Sequence, residues 1–143
     1  MKNTYSSQTQ NKKIEELHYE LQDWKSNLHF IKDEIKFINQ LLNSYVFQPN
    51  TPNLFERLQD YQHRLKKIKK SKTELQKAIA QHENNLGGMI ECTDEYCDLQ
   101  YYKKHDTLKT KIVDSIIRFK DLKSEIFNYA GGILKKRKPV SDN

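Results

Sequence analysis

What this chain lacks narrows its shape before any motif is sought. Only four glycines and three prolines occur in 143 residues, so little interrupts a helix. The glycines come as two adjacent pairs, Gly87–Gly88 and Gly131–Gly132, not in the spaced pattern of a phosphate-cradling loop. No apolar run approaches the ~20 residues of a membrane span, so membrane insertion is not expected. The opening MKNTYSSQTQNKK has no apolar centre of the kind a signal peptide carries. Two cysteines are too few for a disulfide scaffold, which favours a reduced, cytoplasmic protein. Arginine is scarce as well, four of 25 basic residues. Base-edge readers favour its planar fork, so sequence-specific nucleic-acid binding is not expected. With no nucleophile elbow and no inward-facing carboxylate pair, neither an enzyme nor a cofactor is expected.

What is present is a strongly polar chain, 36% hydrophobic and 31% charged. Such a chain folds if its apolar residues are confined to one stripe of long helices. The first stripe is unbroken: Ile14, Leu17, Leu21, Trp24, Leu28, Ile31, Ile35, Ile38, Leu42 and Tyr45 follow alternating steps of three and four. It predicts a helix over 11–47. Pro49 within QPNTPN stops it, and Thr51 followed by Pro52 reads as a helix cap and first turn. A second helix over 52–86 carries Leu54, Leu58, Tyr61, Leu65, Ile68, Lys72, Leu75, Ile79, His82 and Leu86, with the first glycine pair as its end. A third, over 93–130, carries Leu108, Ile112, Ile116, Phe119, Ile126 and Ala130. Its first third (Tyr96, Leu99, Tyr101, Tyr102) fits another phase, so the stripe is expected to slip near 103–106.

Three helices of similar length joined by short turns run up, down and up. The expected fold is an all-α, elongated, antiparallel three-helix bundle, coiled-coil-like, over 11–132. Residues 1–10 and a basic tail, 133–143, are expected to be disordered. The expected register places Leu86 near Ile14, Leu65 near Ile35, Leu58 near Leu42, and Ile79 opposite Leu99. In architecture this resembles spectrin-type repeats, which also place a tryptophan on the seam of their first helix, as Trp24 is here; no family assignment is drawn from that residue.

The stretch IECTDEYCDLQYYKKHD is the one that resembles a chemical site. If Thr93 caps the third helix, Cys92 precedes the cap and Cys97 is the fourth helical residue. Those are the two positions of a hydrophobic staple, which accounts for their spacing as reduced thiols. The competing arrangement is a zinc site drawing on Cys92, Cys97, His82 and His18. Its spacing matches no common zinc module, and the staple is the expectation. The helical pairs Glu15/His18, Asp60/His63 and His29/Asp33 have spacings seen in bundle metal sites, but His29 and His63 project away from the seam. Lys72 and His82 on the seam read as polar layers that fix register.

Two basic segments remain. RLKKIKKSK, residues 64–72, holds Arg64, Lys66, Lys67, Lys69 and Lys70, spread around the exposed sides of a helix. Lys135, Lys136, Arg137 and Lys138 form a polybasic end that resembles a short nuclear-import signal. Either could contact an acidic protein or a phosphate backbone. The functional expectation is a non-enzymatic helical interaction or scaffold protein with a protein partner, or with itself. The alternative is a nonspecific nucleic-acid binder using these basic segments.

Overall fold

The computed structural model describes residues 4–47 and 52–137, with side chains from 13 to 47 and from 53 to 135. Helix α1 spans Thr4–Leu42, α2 spans Pro52–Glu91 and α3 spans Glu95–Arg137, with a 3-10 turn over Tyr45–Phe47. No strand occurs among the described residues. The fold is the expected elongated three-helix bundle. Lys25 and Gln22 of α1 reach Glu83 of α2, and Arg64 of α2 reaches Glu125 of α3, so each consecutive pair is antiparallel. Glu20–Lys109 and Glu34–Lys123 then join α1 to α3 in parallel.

The seam of α1 is the predicted one, with Leu21, Leu28 and Ile38 fully buried and Trp24 nearly so. Its end is earlier than predicted. Asn43 donates its side-chain amide to the Asn39 carbonyl, and the Ser44 hydroxyl donates to the Leu41 carbonyl. The Val46 N–H turns back onto Ser44 Oγ. Such local bonds compete with the helical ladder. The chain swings by a few residues, so Tyr45 points outward while Val46 and Phe47 are buried. Phe47 closes this end of the core against Tyr61 and Tyr129. The expected stop at Pro49 and cap at Thr51 lie outside the described residues. At the other end, residues 4–10, expected to be disordered, continue the helix.

The first glycine pair is expected to end the second helix, and the third helix is expected to end at 130, just before the second pair; neither end falls there. α2 continues through Gly87 and Gly88 to Glu91, and α3 continues through Gly131 and Gly132 to Arg137. None of the described glycines has positive φ, the conformation a C-terminal glycine cap requires. In α2 the continuation buries Met89 on the same stripe as Leu86, and the Cys92 N–H still bonds the Gly88 carbonyl at 3.1 Å. Burying one such side chain is worth about 1.5–3 kcal/mol, comparable to the ~2 kcal/mol that two helical glycines cost. In α3 the continuation packs Ile133 against the core, so residues 133–137 are helix, not disordered tail.

The longer α2 moves the second turn past the glycines and shifts the α2–α3 register. Ile79 is buried but does not face Leu99, which is 58% exposed. His82 meets Tyr101 and His105 instead. The expected slip in the third helix is absent: Tyr101, His105, Leu108, Ile112, Ser115, Phe119, Leu122 and Ile126 are all buried, in alternating steps of four and three. Two polar residues, His105 and Ser115, complete that stripe.

Candidate functional site

The turn between α2 and α3 is organised by Asp94. Its Oδ1 accepts the Tyr96 N–H at 3.0 Å, so Asp94 and not Thr93 caps α3. Glu95 and Asp98 occupy the first turn, where carboxylates complement the helix dipole. Moving the cap by one residue takes Cys92 and Cys97 out of the staple positions. They are joined in a disulfide, which corrects the expectation of two reduced thiols. Joined sulfurs are not zinc ligands, and they no longer argue for a reducing compartment. His18 is exposed, and His82 is committed elsewhere. No group of three metal-ligating side chains occurs among the described residues. Asp60 bonds Arg64 rather than His63, and His29 and Asp33 lie 4.0 Å apart on open surface.

The polar layer of the core is larger than Lys72 and His82. His82 Nε2 lies 2.9 Å from His105 Nδ1, and the Tyr101 hydroxyl donates to the His82 carbonyl at 3.0 Å. The rings form a stack: Tyr101 on His82 at 4.0 Å, Trp24 on His105 at 4.6 Å. On the far side Glu20 Oε2 stands 3.5 Å from His105 Nε2, and Lys109 holds that carboxylate from outside at 3.2 Å. The distance is long, and His105 Nε2 is left without a formed hydrogen bond. Burial, with His105 and Lys104 nearby, pushes the His82 pKa down to about 4. Burial also lowers that of His105, against the opposing pull of Glu20. Both imidazoles are therefore neutral near pH 7. Lys72 has its pKa lowered by burial and by the neighbouring Lys32 and Lys69. Apolar spacing carries no signal for either His105, a polar residue on the third stripe, or Glu20, which lies beside the first stripe and not on it.

The basic segment of α2 is divided among different faces, as 100° per residue requires. Arg64 and Lys67 line the groove between α2 and α3, while Lys66 and Lys69 line a recess on the opposite side beside His63. Lys70 is exposed. Arg64 is engaged by Asp60 and Glu125. At the C-terminal end Lys135 is exposed, Lys136 and Arg137 belong to the last turn of α3, and Lys138 lies outside the described residues.

Two surface features stand out. Along the α1/α3 face, Phe30, Phe37 and Phe127 are 61%, 58% and 37% exposed. Phe37 and Phe127 meet edge to face at 6.4 Å. Between α2 and α3, on the side away from α1, runs a groove of about 1050 Å³ with an apolar floor that includes Ile68, Leu75 and Leu108. No described helix is long and apolar enough to cross a membrane. Compared with known families, curated proteins and solved structures, the chain matches none.

Proposed function

We propose that this chain is a non-enzymatic helical interaction protein whose bundle presents one face to another protein. The observation that carries the reading is the α1/α3 face, where Phe30 and Phe37 are mostly in water and Phe37 meets the partly exposed Phe127. Single exposed apolar residues are ordinary, but a cluster on one face is a feature of docking surfaces. Phe30 and Phe37 are one heptad apart, so they project in the same direction along α1. The dispersal of Arg64, Lys66, Lys67 and Lys69 around α2 supports the nucleic-acid alternative less well, because a duplex needs its cations on one side.

The test compares the parent chain with a Phe30→Ser/Phe37→Ser variant as baits in native cell extract. The reading expects at least one protein retained by the parent and lost from the variant, at unchanged helicity. Identical retained sets would refute it. A second copy as the partner would appear in sedimentation of the purified chain, as dimers that the variant lacks.

A further inference from the structure

The α2/α3 groove is separate from the apolar α1/α3 face, and its walls differ in kind. On α2 the wall residues Ser71, Ala78 and Asn85 recur at seven-residue spacing and are small or neutral. On α3 Lys104, Lys111 and Arg118 recur at the same spacing. Antiparallel packing with Arg64 against Glu125 carries Ser71 toward Arg118, Ala78 toward Lys111, and Asn85 toward Lys104. Arg64 is neutralised across the groove by Glu125, and the acids that line the groove, Glu74 of α2 with Asp114 and Asp121 of α3, stand toward that end, leaving Ala78, Gln81 and Asn85 on the α2 side of Lys104 and Lys111. Arg118 is held by Asp114 of its own helix at 3.0 Å. Among the described residues Lys104 and Lys111 form no ion pair, and both are exposed. The short side chains of Ser71 and Ala78 open the groove down to Leu75 and Leu108.

We infer that this groove docks a single amphipathic helix from a protein partner, with carboxylates at seven-residue spacing along one edge of its apolar stripe. Seven residues are two turns, about 10.5 Å, and that is the repeat of the cations on the α3 wall. An apolar stripe covers the floor, and the acidic edge lies along Lys104 and Lys111. The groove runs over about 20 residues of each wall, roughly 30 Å, which is the length of a five- to six-turn helix. The floor favours a helix over nucleic acid. It is aliphatic, with no exposed aromatic on which bases could stack, and an apolar surface gives a phosphate backbone nothing. The inference rests on the reading of the chain as an interaction protein but uses a different face and different residues.

The test selects from a displayed library of 21-residue helical peptides against the full chain. Leucine is fixed at the apolar positions, and glutamate or lysine varies at the flanking ones. Selection should enrich glutamate at seven-residue spacing on one edge. Binding of a selected peptide, read by fluorescence anisotropy, should weaken at least tenfold on Lys104→Glu/Lys111→Glu. It should not change on Lys36→Glu, which alters an exposed lysine of α1, or on Phe30→Ser/Phe37→Ser. Both lysines are exposed, so the charge-reversed chain should keep its parent's helicity and thermal midpoint. Enrichment of lysine, or no enrichment, overturns the proposal, as does an acidic peptide indifferent to the charge reversal. A 20-base-pair duplex that displaces the peptide through the same two lysines also overturns it, in favour of nucleic acid. Any of these failures leaves the α1/α3 reading standing, since that is tested by Phe30 and Phe37.

Discussion

Two imidazoles share one hydrogen bond in the interior, so one ring nitrogen donates and the other accepts. The carboxylate of Glu20 faces His105 Nε2, which orients that N–H outward and leaves His105 Nδ1 to accept from His82. Protonating His105 breaks this order, because both facing nitrogens would then carry hydrogens; protonating His82, at Nδ1, keeps the bond but places a charge in the buried layer. Around the pair stand Glu20 of α1 and Lys104, Asp106 and Lys109 of α3, with burial the leading cause of both shifts. The folded pKa of His82 lies below its ordinary 6.5, at about 4, so protonation favours the unfolded chain. Stability is then complete above about pH 6.5 and falls as pH drops toward 4. By pH 5 the loss should be about 1–2 kcal/mol. Urea midpoints measured at pH 7.5, 6 and 5 check it. His82→Leu/His105→Leu should flatten the trend, and a parent midpoint constant across the range would contradict the neutral pair. His82 was legible in the sequence as one of two polar residues, with Lys72, on a mainly apolar stripe. His105 was not, because it and Ser115 occupy seam positions where an apolar residue was sought.

At the scale of the helix, sequence and structure part company over glycine. Spacing of apolar side chains made all three helices readable, since that pattern is a property of side chains. Where a helix stops depends on φ at one or two residues, and two adjacent glycines permit either choice. Here they remain helical, with nothing within 4 Å of where a Cβ would stand at Gly87 or Gly88. Gly87→Ala and Gly88→Ala should therefore each stabilise the bundle by about 0.5–1 kcal/mol, read as a raised thermal midpoint. Glycines acting as a left-handed cap would give the reverse sign. The turn beyond them yields a second prediction. The disulfide closes a separation of only five residues, so chain entropy assigns it about 2 kcal/mol, modest for a covalent link. Unreduced protein should take up no alkylating label, and reduction should lower the midpoint by that scale while leaving helicity intact. Two labelled thiols before reduction would restore the reduced pair. Spacing alone could not distinguish staple from disulfide, because both place the sulfurs side by side.

For the whole molecule, three helices of 39, 40 and 43 residues side by side make a rod. At 1.5 Å per residue its length is about 60 Å, and such a rod has a radius of gyration of about 19–20 Å. A compact domain of this size would give about 14–15 Å. Small-angle X-ray scattering decides between them, and a value near the lower figure would reject the side-by-side arrangement. The pairs that lock the rod lengthwise are spread along it: Glu20–Lys109 and Lys25–Glu83 lie toward one end, Glu34–Lys123 and Arg64–Glu125 toward the other. An odd number of antiparallel helices also has a geometric result. The chain enters the bundle at Thr4 and leaves it at Arg137, at opposite ends. A bundle of two or four helices returns its chain to the starting end; this one does not. Fluorophores attached at the Thr4 end of α1 and the Arg137 end of α3 should therefore report a separation of about 60 Å, where an even-numbered bundle would bring them together.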